Sequence, residues 1–215
     1  QVDTRPLGAE AVSGSELTEE GLEVHWRWLP GKDTQTRWLI ILNAGETSEK
    51  LPDWAETLVG ESSALLHHPR GTGPGAWTRK NPPNTIERTL VLLGATVDSG
   101  RIWDALTVAR RRLNEGRWRI AGAGNAGILA AYAALFEPRI ENIVAVKPPP
   151  SHKPGPDGTY GPPILNVLRV TDIPQVLGAL APRALILSGA REDDFTMTRR
   201  LYELSGSADR LKVQP

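Results

Sequence analysis

The sequence predicts an α/β protein built as three layers, with a mostly parallel central sheet covered by helices on both faces. Short apolar runs rich in β-branched residues recur along the chain, and helix-compatible stretches separate them, the alternation expected of strands joined by helical crossovers. At 215 residues the chain is long enough for one well-buried α/β core, and no repeat or linker divides it, so 1–215 reads as one domain.

After a polar leader, residues 22–29 alternate apolar and polar with Trp26 and Trp28 on one face, an edge-type strand with tryptophans for packing. Residues 38–42 (WLIIL) form a continuous apolar run, the pattern of a central strand buried on both faces. Residues 52–60 read as a helix, with proline in its first turn and glycine at its end. Residues 64–67 are a short strand leading into a loop, 69–83, dense in glycine and proline. From Arg88, the three- and four-residue spacings of Leu90, Leu93 and Val97, and then of Ile102, Leu106 and Ala109, predict one long helix interrupted near Gly100. Residues 118–121 are a brief strand, followed by GAGNAG and an alanine-rich helix. Strands at 142–146, 183–187 and 211–213, with helices at 173–180 and 197–204, complete the pattern. Residues 147–163 are an irregular excursion rich in proline and glycine.

The 25 basic and 25 acidic residues balance, which gives no electrostatic reason for a nucleic acid or an anionic membrane as partner. Arg70, Arg79 and Lys80 form one small basic cluster, and Arg110, Arg111 and Arg112 read as the solvated face of a helix. The absence of cysteine removes disulfides, thiolate catalysis and zinc–thiolate sites, and leaves the compartment open. The apolar runs fall short of the roughly 20 residues a membrane helix requires. A chain that begins at Gln1 is expected to be either a processed protein, with a secreted or periplasmic location, or a piece of a longer one. The four histidines show no metal-ligand spacing, so no metal and no cofactor are expected.

The most informative unit is the strand, glycine turn and helix around Gly122-Ala123-Gly124-Asn125-Ala126-Gly127. A nucleophile elbow, G-x-S-x-G, needs small residues flanking a strained turn that lifts a serine hydroxyl clear. Here those small residues are present, but Gly124 occupies the nucleophile slot. Shifting the frame by one puts Asn125 there, whose amide is no nucleophile. The plainer reading is that the glycines let a helix pack closely on a strand. The same residues also match G-x-G-x-x-G, a phosphate cradle, although the turn falls late in the chain and lacks the following strand-end acid.

From Trp38 to its end the sequence resembles the acetyl-xylan-esterase-like branch of the α/β-hydrolases. The segments that carry the likeness are TLVLLGATVDSGRIWDAL, GAGNAGILAAYAALFEP and, most specifically, GPPILNVLRVTDIPQVLGALAPRALILSGA. The resemblance implies an α/β-hydrolase-type fold with a Ser, acid and His triad. It is also similar to tandem proteins in which an esterase domain is followed by a degraded copy, and this chain fits the copy. The triad acid would fall at Asp193, or at Asp194. The histidine would follow the last strand, where the chain reaches Pro215 without one. Because a triad acts as a unit, a lone acid should retain almost none of its chemistry.

Asn43, His67 and His68 end two neighbouring strands on the carboxyl edge, where such folds place ligands, and are weak binding candidates. For the histidines the alternative is a strand-end ring satisfied by backbone. Ser151-His152 offers a hydroxyl and a base, but adjacent residues on an extended chain point opposite ways. With seven tryptophans against two phenylalanines, sugar stacking is open, and Trp77 in PRGTGPGAWTRK is its best candidate. Three functions follow. The first is a non-catalytic domain that partners a catalytic esterase domain or another copy of itself, with carbohydrate as a candidate ligand. The second is an ester hydrolase with an unorthodox nucleophile or residues supplied by a partner. The third is a small-ligand-binding protein that uses the vestigial pocket.

Overall fold

The computed structural model describes residues 7–77, 83–112, 117–155 and 160–215. Its strands are β1 (Val12–Glu19), β2 (Leu22–Leu29), β3 (Asp33–Ile41), β4 (Ser62–His68), β5 (Arg117–Ala123), β6 (Ile140–Val146), β7 (Ala184–Ser188) and β8 (Leu211–Gln214). Its helices are α1 (Asp53–Val59), α2 (Pro83–Leu92), α3 (Val97–Arg112), α4 (Asn125–Leu135), α5 (Ile173–Gly178) and α6 (Thr196–Leu204). All eight strands share one sheet, in the order β1-β2-β4-β3-β5-β6-β7-β8. β1 and β2 pair antiparallel, β2 pairs antiparallel with β4, and the pairings from β4 across to β8 are parallel. Each parallel step needs a crossover, which the helices supply. The order turns back between β3 and β5, so a crevice opens beside the carboxyl ends of those two strands.

The run at 38–42 is continuous because both of its faces are buried. Leu39 and Ile41 join the cluster under α3 and α4, while Trp38, Ile40 and Leu42 join the one that packs α1 through Ala55 and Val59. Three layers follow from that alternation, as predicted. Trp26 and Trp28 are buried core residues.

Four expectations need correcting. The polar leader contains β1, whose inward positions are polar: Glu16 and Thr18 face α3. β3 starts at Asp33 rather than at residue 38. The long helix is two helices, and the break lies at Gly94 (φ 81°). Gly100 lies within α3, where a Cβ would come within 2.5 Å of the Arg70 guanidinium, so glycine there makes room for that arginine. Finally, the Arg110–Arg112 stretch is not simply solvated. Arg111 and Arg112 both donate to the buried Glu16 carboxylate, Arg112 through Nε at 2.6 Å. Arg70 is likewise buried and paired, with Asp104 and Glu19; Arg79 and Lys80 lie outside the described residues. Among the described residues, no helix is long and apolar enough to cross a membrane.

Candidate functional site

β5 ends at Ala123, Gly124 turns the chain, and α4 begins at Asn125. Gly124 has φ 55° and ψ −128°, a region that costs any residue with a Cβ roughly 1–3 kcal/mol. Its N–H donates to the Val146 carbonyl at 2.8 Å, and its carbonyl accepts from Gly127 N–H at 3.1 Å. Among the described residues, a Cβ at position 124 would find nothing within 4 Å. The turn therefore presents this position to open space, as an elbow presents its nucleophile, but glycine has no side chain to present.

The flanking glycines do different work. A Cβ on Gly122 would lie 2.4 Å from the backbone of Ala126, and one on Gly127 would lie 2.7 Å from the Gly122 carbonyl oxygen. Both serve strand–helix contact, which is the packing reading of the motif.

Asn43 lies at the switch point. Its side-chain amide donates to the Ala123 carbonyl and to Glu46 Oε2, each at 3.2 Å, and so ties the end of β3 to the elbow. Glu46 also accepts from the Asn43 N–H at 2.6 Å and from Trp54 Nε1 at 2.6 Å. Beside it, a cavity of about 40 Å³ is lined by Asn43, Thr72, Asp98, Arg101 and Asn125, among others. That volume holds little beyond a water or two. Asp98 is buried, which raises its pKa, and Arg101 Nη1 donates to it at 2.9 Å, a pairing that opposes the rise.

The remaining sequence-predicted residues do not converge there. His67 and His68 end β4 and are almost wholly buried. His67 Nδ1 lies 3.3 Å from the His25 carbonyl, a backbone partner. Burial lowers the pKa of His67 to about 4, against the pull of the Asp104 charge. The His68 ring is covered by Gly73, where a Cβ would meet it at 2.4 Å. Trp77 is half-buried. Its indole packs on Gly71, and the Arg101 guanidinium lies 5.9 Å from the ring centre, so it anchors its loop. Asp193 is exposed in the turn after β7, where its carbonyl accepts from Thr196 Oγ1 at 3.0 Å; Asp194 is exposed beside it.

The side chains of Ser151 and His152 engage different partners. Ser151 Oγ donates to Asp172 Oδ2 at 2.5 Å. His152 donates from Nδ1 to the Pro162 carbonyl at 2.8 Å, and its Nε2 lies 2.9 Å from the Tyr132 hydroxyl. Both ring nitrogens are thus engaged away from Ser151, and burial lowers the ring's pKa. Burial likewise raises the Tyr132 hydroxyl to about 12, so it acts as a donor.

No family model matches the sequence, and no curated protein matches it. Solved structures do match over nearly the whole chain. A candidate acetyl xylan esterase from Bacteroides fragilis superposes with a TM-score of 0.63 at 15% identity, over 95% of this chain and 65% of that one. This chain has the α/β-hydrolase fold. A carbohydrate esterase family 15 glucuronoyl esterase from Caldicellulosiruptor kristjansonii gives 0.56 at 14% identity, covering 97% and 71%. The acylaminoacyl peptidase of Pyrococcus horikoshii gives 0.62 at 12% identity, covering 95% and 36%. The α/β-hydrolase fold thus serves both ester and peptide cleavage among these neighbours, so fold alone does not select an activity. The chain spans 65% of the length of the Bacteroides protein.

Asp98 and Arg101, which line the elbow cavity, were not singled out from sequence. Fusing α2 and α3 hid the start of α3, whose amino end is what brings Asp98 to this edge. The signal was there: Gly94, then Thr96 as N-cap, accepting the Ser99 N–H at 3.0 Å on Oγ1.

Proposed function

We propose that this chain is a non-catalytic α/β-hydrolase domain related to carbohydrate esterases, with a structural or binding role beside a catalytic esterase domain or another copy of itself. The observation that carries this reading is Gly124. The backbone of an elbow is kept there, the space above it is open, and the residue has no nucleophile. The polar groups lining the adjoining cavity support it too. Asn43 is engaged by Glu46 and Ala123, and Asp98 by Arg101. Among the described residues no histidine lines that cavity, so none of them is placed to activate a hydroxyl at position 124.

Hydrolysis of p-nitrophenyl acetate by the parent, Gly124→Ser and Asp193→Ala tests the proposal. All three should run at the uncatalysed rate, the serine variant included. Turnover by the parent that Asp193→Ala abolishes would overturn it, because the vestigial acid would then be at work.

A further inference from the structure

A second, larger concavity opens between the carboxyl-terminal end of α2 and the segment 163–169 that follows the proline-rich excursion. Its volume is about 460 Å³, within the ~300–1,000 Å³ usual for small-molecule sites. It shares no lining residue with the elbow cavity. Its walls are aliphatic: Val91, Leu165 and Leu168, together with Pro163, Ile164 and Val167. Val91, Leu165 and Leu168 are 48%, 41% and 46% exposed. Apolar side chains so exposed around one hollow gain free energy when a ligand removes them from water.

The polar groups divide by depth. At the inner end, His152 and Thr96 are both buried and already engaged, His152 by Pro162 and Tyr132, Thr96 by Ser99. At the mouth, the turn closed by the Arg169 N–H donating to the Asn166 carbonyl at 3.0 Å carries an exposed amide and an exposed guanidinium. Among the described residues, Arg169 has no ion pair and no acidic residue lines the concavity. An adjoining hollow along α2 carries Glu87 and Arg88, one charge of each sign, so the preference for an anion comes from Arg169.

We infer that this concavity binds an apolar monocarboxylate, its hydrocarbon body between Val91 and Leu168 and its carboxylate at the mouth against Arg169 and Asn166. An apolar body satisfies the walls and leaves the engaged groups at the inner end undisturbed. A carboxylate matches the planar guanidinium fork and the amide donor. This goes beyond the non-catalytic role proposed above and does not depend on it, since neither wall nor mouth includes the elbow.

The test is titration of the intact chain with octanoate, followed by calorimetry and amide NMR, with octan-1-ol and acetate as comparisons. Octanoate should bind saturably and acetate should not. Octan-1-ol should bind about two- to fivefold more weakly, the value of one solvent-exposed charge pair. Arg169→Gln should weaken octanoate by that same factor and leave octan-1-ol unchanged. Leu168→Asp should abolish both, while Leu204→Asp, which alters an exposed leucine on α6 outside the site, should change neither. Circular dichroism confirms that each variant is folded. Absence of saturable octanoate binding by the folded parent overturns the inference and returns the patch to a macromolecular partner. Binding that survives Leu168→Asp, or that Leu204→Asp also removes, overturns it as well.

Discussion

The elbow and the interface between β1 and α3 treat side-chain chemistry in opposite ways. At the interface, charge is buried and fully engaged. Asp104 accepts from Thr18 Oγ1 at 2.8 Å, from the Arg70 N–H and Nε at 2.9 Å each, and from Arg70 Nη2 at 2.7 Å. Arg70 also reaches Glu19, and the Arg112 guanidinium lies 4.3 Å from the centre of the Trp26 ring while donating to Glu16. At the elbow, where an enzyme of this fold would concentrate reactive groups, position 124 carries none, and the glycines on either side keep a helix close to a strand. The difference teaches that this chain uses its buried charges to dock an edge strand, whereas the elbow persists through packing.

If that contrast holds, the largest effects of mutation should fall at the interface. Asp104→Ala leaves Arg70 as a buried cation with only Glu19 for company, and breaking such a pair costs about 3–5 kcal/mol. Urea denaturation should show a loss of that size. A loss below 1 kcal/mol would mean that β1 docks by other contacts.

A smaller effect should appear with pH. His67 lies under the same layer, its pKa lowered by burial from 6.5 in the open chain to about 4 when folded. Its neutral form is thus favoured in the folded state. The stability it contributes is fully present above pH 6.5 and is lost as pH falls toward 4, about 3 kcal/mol in all. About 2 kcal/mol of this should go between pH 7 and pH 5. His67→Leu should flatten the pH profile in that window. Parallel profiles for parent and variant would show that His67 does not titrate as its burial requires.

Sequence reading succeeds or fails here according to where the partners lie. The run at 38–42 and the alanine-rich α4 are apolar because they are buried, and that pattern is local, so the fold class and the elbow were legible. β1 was not, because its inward residues, Glu16 and Thr18, are polar and their partners lie on α3, more than 80 residues away. The break between α2 and α3 was hidden by apolar residues that continue a helical spacing across Gly94. Leu93 belongs to that spacing yet is 76% exposed. The same exposure marks the larger concavity, whose other wall comes from a segment with no period to read. The carboxyl-edge candidates were placed on the correct edge. Whether a strand-end histidine faces solvent or a buried layer depends on loops that sequence spacing does not fix.

The last difference should separate the elbow's own glycines, with the smallest effect at Gly124. A methyl at Gly122 meets the backbone of Ala126, which cannot step aside without moving α4 off β5. Gly122→Ala should therefore cost about 3 kcal/mol, the upper end of ordinary overpacking, and any larger residue should cost more. At Gly124 the space is open among the described residues, so the cost is the strained dihedral alone, about 1–3 kcal/mol, and it should not grow with the side chain. Gly124→Ala, Gly124→Ser and Gly124→Leu should all unfold at nearly the same urea concentration, while Gly122→Ala and Gly122→Val diverge. If the Gly124 series instead falls steadily with side-chain size, the position is closed over in solution. The elbow would then no longer present that site to the solvent, and its likeness to a nucleophile turn would end at the backbone angles.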